Sequence, residues 1–368
     1  MMKTVYLLLE NGACLEGQGF GAPINGDGVL GEVVFTTAMT GYLESITDPS
    51  YYGQILVQTF PLIGNYGVIP SDFESAAPHL TAYIVNDWCQ IPSNFRSEGD
   101  LDTFFKAQNI PAVCGIDTRY LTKLLREQGT MNGYLSYEKP EYQTLQEPLA
   151  GYRIQNAVQN AARGYFKEYP CPNARYHVAV WDFGAKENII RELTKRGCWV
   201  TLVPPDASAQ EISRLPLDGL MLSNGPGDPA ENTAIISELR RLCHETRLPM
   251  FGICLGHQLL ALAHGAKTGR LPYGHRGANQ PVKGLDSGRI YMTSQNHGYA
   301  VESSSLPPEA QESFINLNDG SCEGITYTDH PAFSVQFHPE ASAGPLDTGF
   351  LFDRFLEKIE EEKQHAAE

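Results

Sequence analysis

The chain has 368 residues, a length that suits two domains, each able to bury a core of its own. With 19% charged and 42% hydrophobic residues it has the composition of an ordinary globular protein, and its net charge of −16 excludes nucleic acid and anionic membrane as main partners, because both select a basic footprint. No apolar run approaches the ~20 residues of a membrane span, and the stretch from Met1 to Glu10 has too short an apolar core for a signal peptide.

Residues 1–150 carry short strands and Gly/Pro turns, such as 54–60 running into Pro61. A helix is predicted over 119–127, with Asp117 or Thr118 as its N-cap and Gly129 ending it. From 151 to 174 the pattern loosens around Gly164-Tyr-Phe-Lys-Glu-Tyr-Pro170-Cys-Pro172, which reads as a linker. Strands and helices then alternate: strand 177–182, helix 186–195, strand 199–203, a helix near Ala209, strand 219–222, helix 231–243, strand 250–253 and helix 255–263. That order predicts an α/β domain over 175–360 with a mostly parallel sheet, its ligands bound outside the carboxyl ends of the strands. Segments 289–294 and 324–337 predict further strands, antiparallel ones among them. The first 150 residues form a smaller, strand-rich α/β domain, and the charged tail 361–368 reads as a fraying helix end.

The predicted strand 250–253 meets the helix after it through Gly252-Ile-Cys254-Leu-Gly256. This is a nucleophile elbow with cysteine in the usual serine position. The glycines let strand and helix pack closely around a tight turn, and the helix N-terminus favours the Cys254 thiolate. By the geometry of an elbow, the N–H of Leu255 is one donor to an oxyanion. Further on, an alternating apolar strand ends in His338-Pro339-Glu340. Proline biases His338 toward extended backbone, where side chains at i and i+2 point the same way. Glu340 is then placed to orient the imidazole and stabilise its cation. A cysteine, a histidine and an acid that holds the histidine are the parts of a nucleophilic triad.

The loop Gly225-Pro-Gly227-Asp228-Pro229 follows the strand 219–222. It is either a backbone N–H cradle for a developing anion or a plain turn capped by Asp228. Eight cysteines (Cys14, Cys89, Cys114, Cys171, Cys198, Cys243, Cys254, Cys322) form no C-x-x-C pair, which predicts reduced thiols in a cytoplasmic protein. Cys254 and His257 stand at C-x-x-H spacing with His264 one heptad on, but no second ligand pair accompanies them, so no metal is expected.

Ser223-Asn-Gly-Pro-Gly-Asp-Pro229, Gly252-Ile-Cys-Leu-Gly-His-Gln258 and His338-Pro-Glu340 together resemble the class I, triad-type glutamine amidotransferase domain. Further runs narrow the resemblance. Gly31-Glu-Val-Val-Phe35, Met39-Thr-Gly-Tyr42, Thr47-Asp-Pro-Ser-Tyr51, Gly115-Ile-Asp-Thr-Arg119 and Gln295-Asn-His-Gly-Tyr-Ala-Val301 are similar to the small, glutamine-hydrolysing subunits of carbamoyl-phosphate synthetase, over residues 3 to 357. The amidotransferase motifs alone also suit GMP synthetase or anthranilate synthase components; the N-terminal runs do not.

The resemblance implies that Cys254 attacks the γ-carbonyl of L-glutamine, that His338 moves the protons, and that Glu340 orients His338. It implies Gly227 N–H as the second oxyanion donor and substrate contacts at Ser50, Gly225, Gln258, Asn296, Gly298 and Tyr299. Ser50 lies in the N-terminal domain, so a pocket closed by both domains is expected. Tyr299 departs from the phenylalanine more frequent in the family, which leaves its role open unless the contact is made by backbone. No cofactor is expected in this chain, which has no G-x-x-x-x-G-K-[ST] run. ATP and Mg are expected in a large subunit that receives ammonia through an internal channel and makes carbamoyl phosphate from bicarbonate for arginine and pyrimidine synthesis; the sequence leaves higher assembly of the heterodimers open. Two other readings compete. A stand-alone cysteine hydrolase of γ-glutamyl compounds leaves residues 1–150 unexplained, and a non-catalytic regulatory subunit does not need Cys254, His338 and Glu340.

Overall fold

A computed structural model describes residues 3–341 and 343–367, without the side chains of 366 and 367. The chain divides into two units, Met1–Gln155 and Asn156–Glu368.

In the first unit the strands are β1 (Thr4–Leu9), β2 (Cys14–Gly21), β3 (Val29–Thr36), β4 (Gln54–Gln58), β5 (Leu62–Ile63), β6 (Ala82–Ile84), β7 (Asp87–Trp88), β8 (Pro111–Cys114) and β9 (Met131–Ser136). They close into a barrel in the order β1-β2-β8-β6-β4-β3-β9, with β5 and β7 paired to one side. Alternation along β4 explains why this short run is wholly buried. Ile55 and Val57 point into one apolar cluster with Val33, Leu7 and Val113, while Leu56 points into another with Val34 and Tyr83. The second cluster is covered by α1 (Tyr42–Thr47) and α2 (Leu101–Ala107), through Leu43, Ile46, Leu101 and Phe105. The predicted helix is α3 (Thr118–Gln128). Asp117 caps it by accepting from the N–H of Tyr120 at 2.8 Å, and Gly129, at φ 90°, ends it. Its Leu121, Leu124 and Leu125 join the first cluster, and α4 (Tyr142–Gly151) closes the unit.

The second unit contains α5 (Ala157–Ala161) and β10 (Lys167–Tyr169), so the loosely patterned stretch holds regular structure. After these come β11 (Tyr176–Trp181), α6 (Glu187–Lys195), β12 (Cys198–Val203), α7 (Ala209–Ser213), β13 (Gly219–Leu222), α8 (Thr233–Glu245), β14 (Met250–Ile253) and α9 (Leu255–Ala263). The chain ends with β15 (Thr268–Gly284), β16 (Ile290–Val301), β17 (Ala310–Asn316), β18 (Cys322–Tyr327), β19 (Ala332–Val335) and α10 (Phe350–Ala367). The sheet order is β10-β12-β11-β13-β14-β19-β18-β17-β15-β16. Strands β12, β11, β13, β14 and β19 are parallel neighbours, and β18, β17, β15 and β16 extend the sheet in antiparallel sense. The central strands are buried on both faces, which is why β14 reads Met-Phe-Gly-Ile with no polar alternation. On one face Val178, Met221 and Phe251 meet Ile190 of α6 and Phe352 and Phe355 of α10; on the other, Leu220 and Leu222 meet Leu239 of α8 and Leu259 of α9.

One expectation needs correcting. The strand leading to His338 is β19, which stops at Val335, so His338-Pro339-Glu340 is not extended. A turn forms instead, in which the N–H of Ala341 donates to the carbonyl of His338 at 3.1 Å.

Candidate active site

Strands β13, β14 and β19 lie side by side and parallel, so the segments after them meet at one end of the sheet. The middle segment is the elbow. Cys254 has φ 53° and ψ −104°, backbone that an L-residue adopts only when its surroundings impose it. Two hydrogen bonds impose it here: the N–H of Cys254 donates to Val335 O at 2.9 Å, and that of Gly256 donates to Ser223 O at 3.0 Å. Neither flanking glycine has room for a β-carbon. One on Gly252 would stand 2.8 Å from Gly256 O, and one on Gly256 would stand 2.7 Å from the carbonyl carbon of Leu222. Leu255 opens α9, where its N–H has no partner inside the helix and offers itself to an anion.

The thiol of Cys254 is buried and donates to the carbonyl of Asn296 on β16 at 3.6 Å. His338 is buried too, and its Nδ1 lies 2.6 Å from Glu340 Oε1. Donation from Nδ1 to the carboxylate sets the tautomer and leaves Nε2 for chemistry. That atom makes no hydrogen bond of ordinary geometry among the described residues, and the Cys254 thiol is a close neighbour of the ring. Burial opposes charge on the imidazole, but the Glu340 carboxylate, aided by Cys254, outweighs it and raises the His338 pKa. Burial likewise opposes charge on Glu340, and Lys186 followed by His338 outweighs it, which holds this carboxyl below its ordinary range.

Lys186 was legible in the sequence only as the start of a helix. Its buried Nζ donates to Glu340 Oε1 at 3.0 Å and to the carbonyl of Ala341 at 2.9 Å. Ala341 sits at φ 55°, so the lysine clamps a backbone turn that would otherwise relax. Asn188, on α6, adds a hydrogen bond to the carbonyl of Glu340. No local pattern announces either contact, because the partners lie 154 and 152 residues apart in the chain.

The remaining candidate residues of the second unit lie on the loop after β13, on α9 and on β16. Gly225 lies against the elbow, where a β-carbon would come within 2.7 Å of Leu255 Cδ2. Gly227 has φ 90° and faces Ala157. The side chain of Gln258 donates to Tyr299 O at 2.8 Å and to Gln336 Oε1 at 2.9 Å, which ties α9 to β16. Gly298 lies beside the guanidinium of Arg276. Asp228 caps a single 3-10 turn, Pro229–Glu231, by accepting from Ala230 N–H at 2.9 Å. Ser50 belongs to the first unit, buried in the 3-10 turn Pro49–Tyr51, with its N–H donating to Asp48 Oδ1 at 2.9 Å. His257 does not pair with the nucleophile. Its Nδ1 meets Ser334 Oγ at 2.8 Å, and burial pushes the imidazole down to about 3, so it is neutral.

A thiol at a helix N-terminus, an imidazole whose free nitrogen faces it and a carboxylate fixing that imidazole can carry out acyl transfer from an amide or ester. Among the described residues, the side chains that could together hold a metal ion are His275, His297 and Glu323, whose ligand atoms lie within 4.8 Å of one another. No helix among those residues is long and apolar enough to cross a membrane.

Residues 179–358 match the family model of class-I glutamine amidotransferases, and residues 7–135 match that of the carbamoyl-phosphate synthase small chain, CPSase domain. The chain is 48% identical over 359 residues to a carbamoyl phosphate synthase small chain of Symbiobacterium thermophilum, covering 96% of this chain and 98% of that protein. It is 48% identical over 365 residues to the small chain of Oceanobacillus iheyensis, covering 98% of each. Identity to the Listeria monocytogenes small chain is 46% over 371 residues, the whole of both.

Proposed function

The chain belongs to the carbamoyl phosphate synthase small-chain family, and on that premise we propose that Cys254, His338 and Glu340 are its catalytic triad. It is the glutamine-hydrolysing chain of the synthase, and a small chain works with a large one. The observation that carries the triad reading is the buried Cys254–His338–Glu340 array at the ends of β14 and β19, with Nδ1 of His338 on the carboxylate.

In the proposed reaction the Cys254 thiolate adds to the γ-carbonyl carbon of glutamine, and the developing oxyanion is met by the N–H groups of Leu255 and Gly227. The C–N bond breaks as His338 Nε2 delivers a proton to the departing ammonia, leaving a γ-glutamyl thioester on Cys254. Water then attacks the thioester while His338 takes its proton, and glutamate leaves. Amide nitrogen departs poorly as an anion, so the acid role of His338 matters as much as its base role. Glu340 keeps the ring in one tautomer, and Lys186 keeps Glu340 in place. Gly225, Gln258, Asn296, Gly298 and Tyr299 are proposed substrate contacts, the last through its backbone. Ser50 enters this set on the family resemblance alone.

The ammonia passes to the large chain, which we take to bind ATP and Mg and to make carbamoyl phosphate from bicarbonate for arginine and pyrimidine synthesis. A cytoplasmic heterodimer, open to higher assembly, is the proposed form. The test is Cys254→Ser in the complex with the large chain. Glutamine-dependent synthesis should vanish while synthesis from ammonium salts survives. Glutamine turnover persisting above a few per cent of the parent would remove the triad. A chain that is fully active alone and never co-elutes with a synthetase subunit would favour the stand-alone hydrolase.

A further inference from the structure

Behind the strand that carries Asn296, the second unit buries a polar cluster that the triad does not use. His275 on β15 lies across from His297 on β16, and Arg276 and Gly277 lie across from Asn296 and Gln295. On both sides of this three-residue block the β15–β16 register shifts, between Arg270 and His275 and again between Gly277 and Gln280. Such irregularities interrupt the ladder, so main-chain pairing alone holds the block less firmly than in a regular ribbon. The side chain of His275 supplies a further tie. Its Nε2 is 2.9 Å from Asp319 Oδ2 and its Nδ1 is 3.6 Å from Glu323 Oε1. These acids lie in and just before β18, on the hairpin that β17 and β18 form.

Glu323 is wholly buried and accepts from Asn316 Nδ2 at 2.8 Å. Burial opposes charge on His275, and Glu323 with Asp319 outweighs it, so the ring's pKa rises. The His275 ring meets His297 edge-on, with centroids 5.0 Å apart. His297 in turn donates from Nδ1 to Tyr299 O at 2.8 Å, the carbonyl that also receives Gln258. Its Nε2 lies 3.2 Å from Gln295 Oε1. The cluster therefore grips the chain on both sides of Asn296, whose carbonyl accepts from the Cys254 thiol.

A buried ionic cluster is a poor way to gain stability, since apolar residues of equal volume do as well or better, whereas fixing one arrangement is a role such groups can serve. We infer that His275, held by Asp319 and Glu323, is a positioning residue that fixes the backbone of residues 296–299 beside Cys254 and so sets glutamine affinity; this rests on the glutaminase reading above. A metal ion is the weaker use of the same residues. The amide nitrogen of Asn316 stands 2.8 Å from Glu323 Oε1 and 3.4 Å from His275 Nδ1, in the space where a cation would need both lone pairs.

The test compares His275→Ala, Asp319→Asn and Glu323→Gln with the parent, each in complex with the large chain. Glutamine-dependent and ammonium-dependent rates are measured across substrate concentration, together with Tm and metal content. His275→Ala should raise the KM for glutamine roughly tenfold while kcat changes less than about threefold, because binding geometry rather than chemistry is disturbed. Ammonium-dependent synthesis should be unchanged, and Glu323→Gln, which keeps a buried polar partner, should give a smaller rise. A lowered Tm with unchanged KM would reduce His275 to a structural role and overturn the inference. So would a stoichiometric transition metal in the purified parent. If His275→Ala does not fold, Asp319→Asn carries the same expectation, since Asp319 is 41% exposed and its loss leaves the interior filled. Absence of glutamine turnover in the parent would instead refute the glutaminase reading, so the two failures are distinguishable.

Discussion

Lys186→Met removes the buried cation that holds Glu340 and keeps most of the side-chain volume. The ammonium group donates to Glu340 Oε1 at 3.0 Å and to Ala341 O at 2.9 Å, and the lysine side chain is only 4% exposed. Hydrogen bonds involving charged groups contribute ~1.5–3 kcal/mol each, so about 3–6 kcal/mol of interaction is lost. Against that, the variant recovers the lysine's desolvation cost and its side-chain entropy, which we set at about 2 kcal/mol. The net loss should be near ~3 kcal/mol at pH 7. Urea unfolding followed by fluorescence measures it in a Trp88→Phe background, where the remaining Trp181 and Trp199 both report the second unit.

The loss should also depend on pH. Glu340 has a depressed pKa in the folded chain, so its contribution is present above the ordinary value of ~4.3 and disappears as pH falls through the folded value. Lys186 is the largest of the groups depressing it, and it also opposes charge on His338. The deficit of the variant should thus be full near neutrality and shrink on the acid side. Lys123→Met, at a lysine 73% exposed and 3.8 Å from Glu127, is the control and should change stability by no more than ~0.5 kcal/mol. A deficit for Lys186→Met that matches this control, or that stays constant into acid, would refute the reasoning.

Replacing His338 with Asn should be nearly as damaging to glutamine turnover as Cys254→Ser, because both proton transfers go with it. Glu340→Gln keeps the shape and a contact to Nδ1 but loses the charge that raises the imidazole pKa, so its defect should be clearly smaller; thioester trapping by mass spectrometry checks this, and the reverse order would overturn the assigned roles. Gly256→Ala would force a β-carbon to 2.7 Å from the carbonyl carbon of Leu222, which is backbone and cannot turn aside. Overpacking of that kind costs ~1–3 kcal/mol and should displace the elbow, whereas Gly151→Ala, with nothing within 4 Å, should stay within ~0.5 kcal/mol; paired unfolding curves and glutaminase assays decide, and equal effects would count against the elbow geometry.

Much of this protein was legible along the chain because the relevant physics is local. A strand, a glycine-flanked cysteine and an apolar helix are neighbours in sequence, and α9 begins and ends where its pattern says, Leu255–Ala263. The alternation of apolar strands and helices likewise announced the parallel core, whose buried strands are predominantly apolar. His338 and Glu340 were recognisable as partners from their spacing, but by a mistaken route. Extended backbone would put them on one side, whereas a turn closed by Ala341 does so at 2.6 Å.

What only the folded chain decided involves residues far apart in sequence whose types are ordinary. Nothing local distinguishes Lys186 from any other lysine near a helix start, yet the packing of α6 against the segment after β19 makes it the cation on Glu340. The acceptor for the Cys254 thiol is a backbone carbonyl, a group every residue has, so no side-chain pattern could single out that of Asn296. His275, Asp319 and Glu323 come together because the antiparallel strands β15 to β18 fold beside the parallel core in an order that interrupts their sequence. Short-range geometry is set by backbone conformation and neighbouring side chains, and is written in the sequence. Burial and ion pairing depend on which distant segments the sheet brings into contact, and that is a property of the tertiary structure.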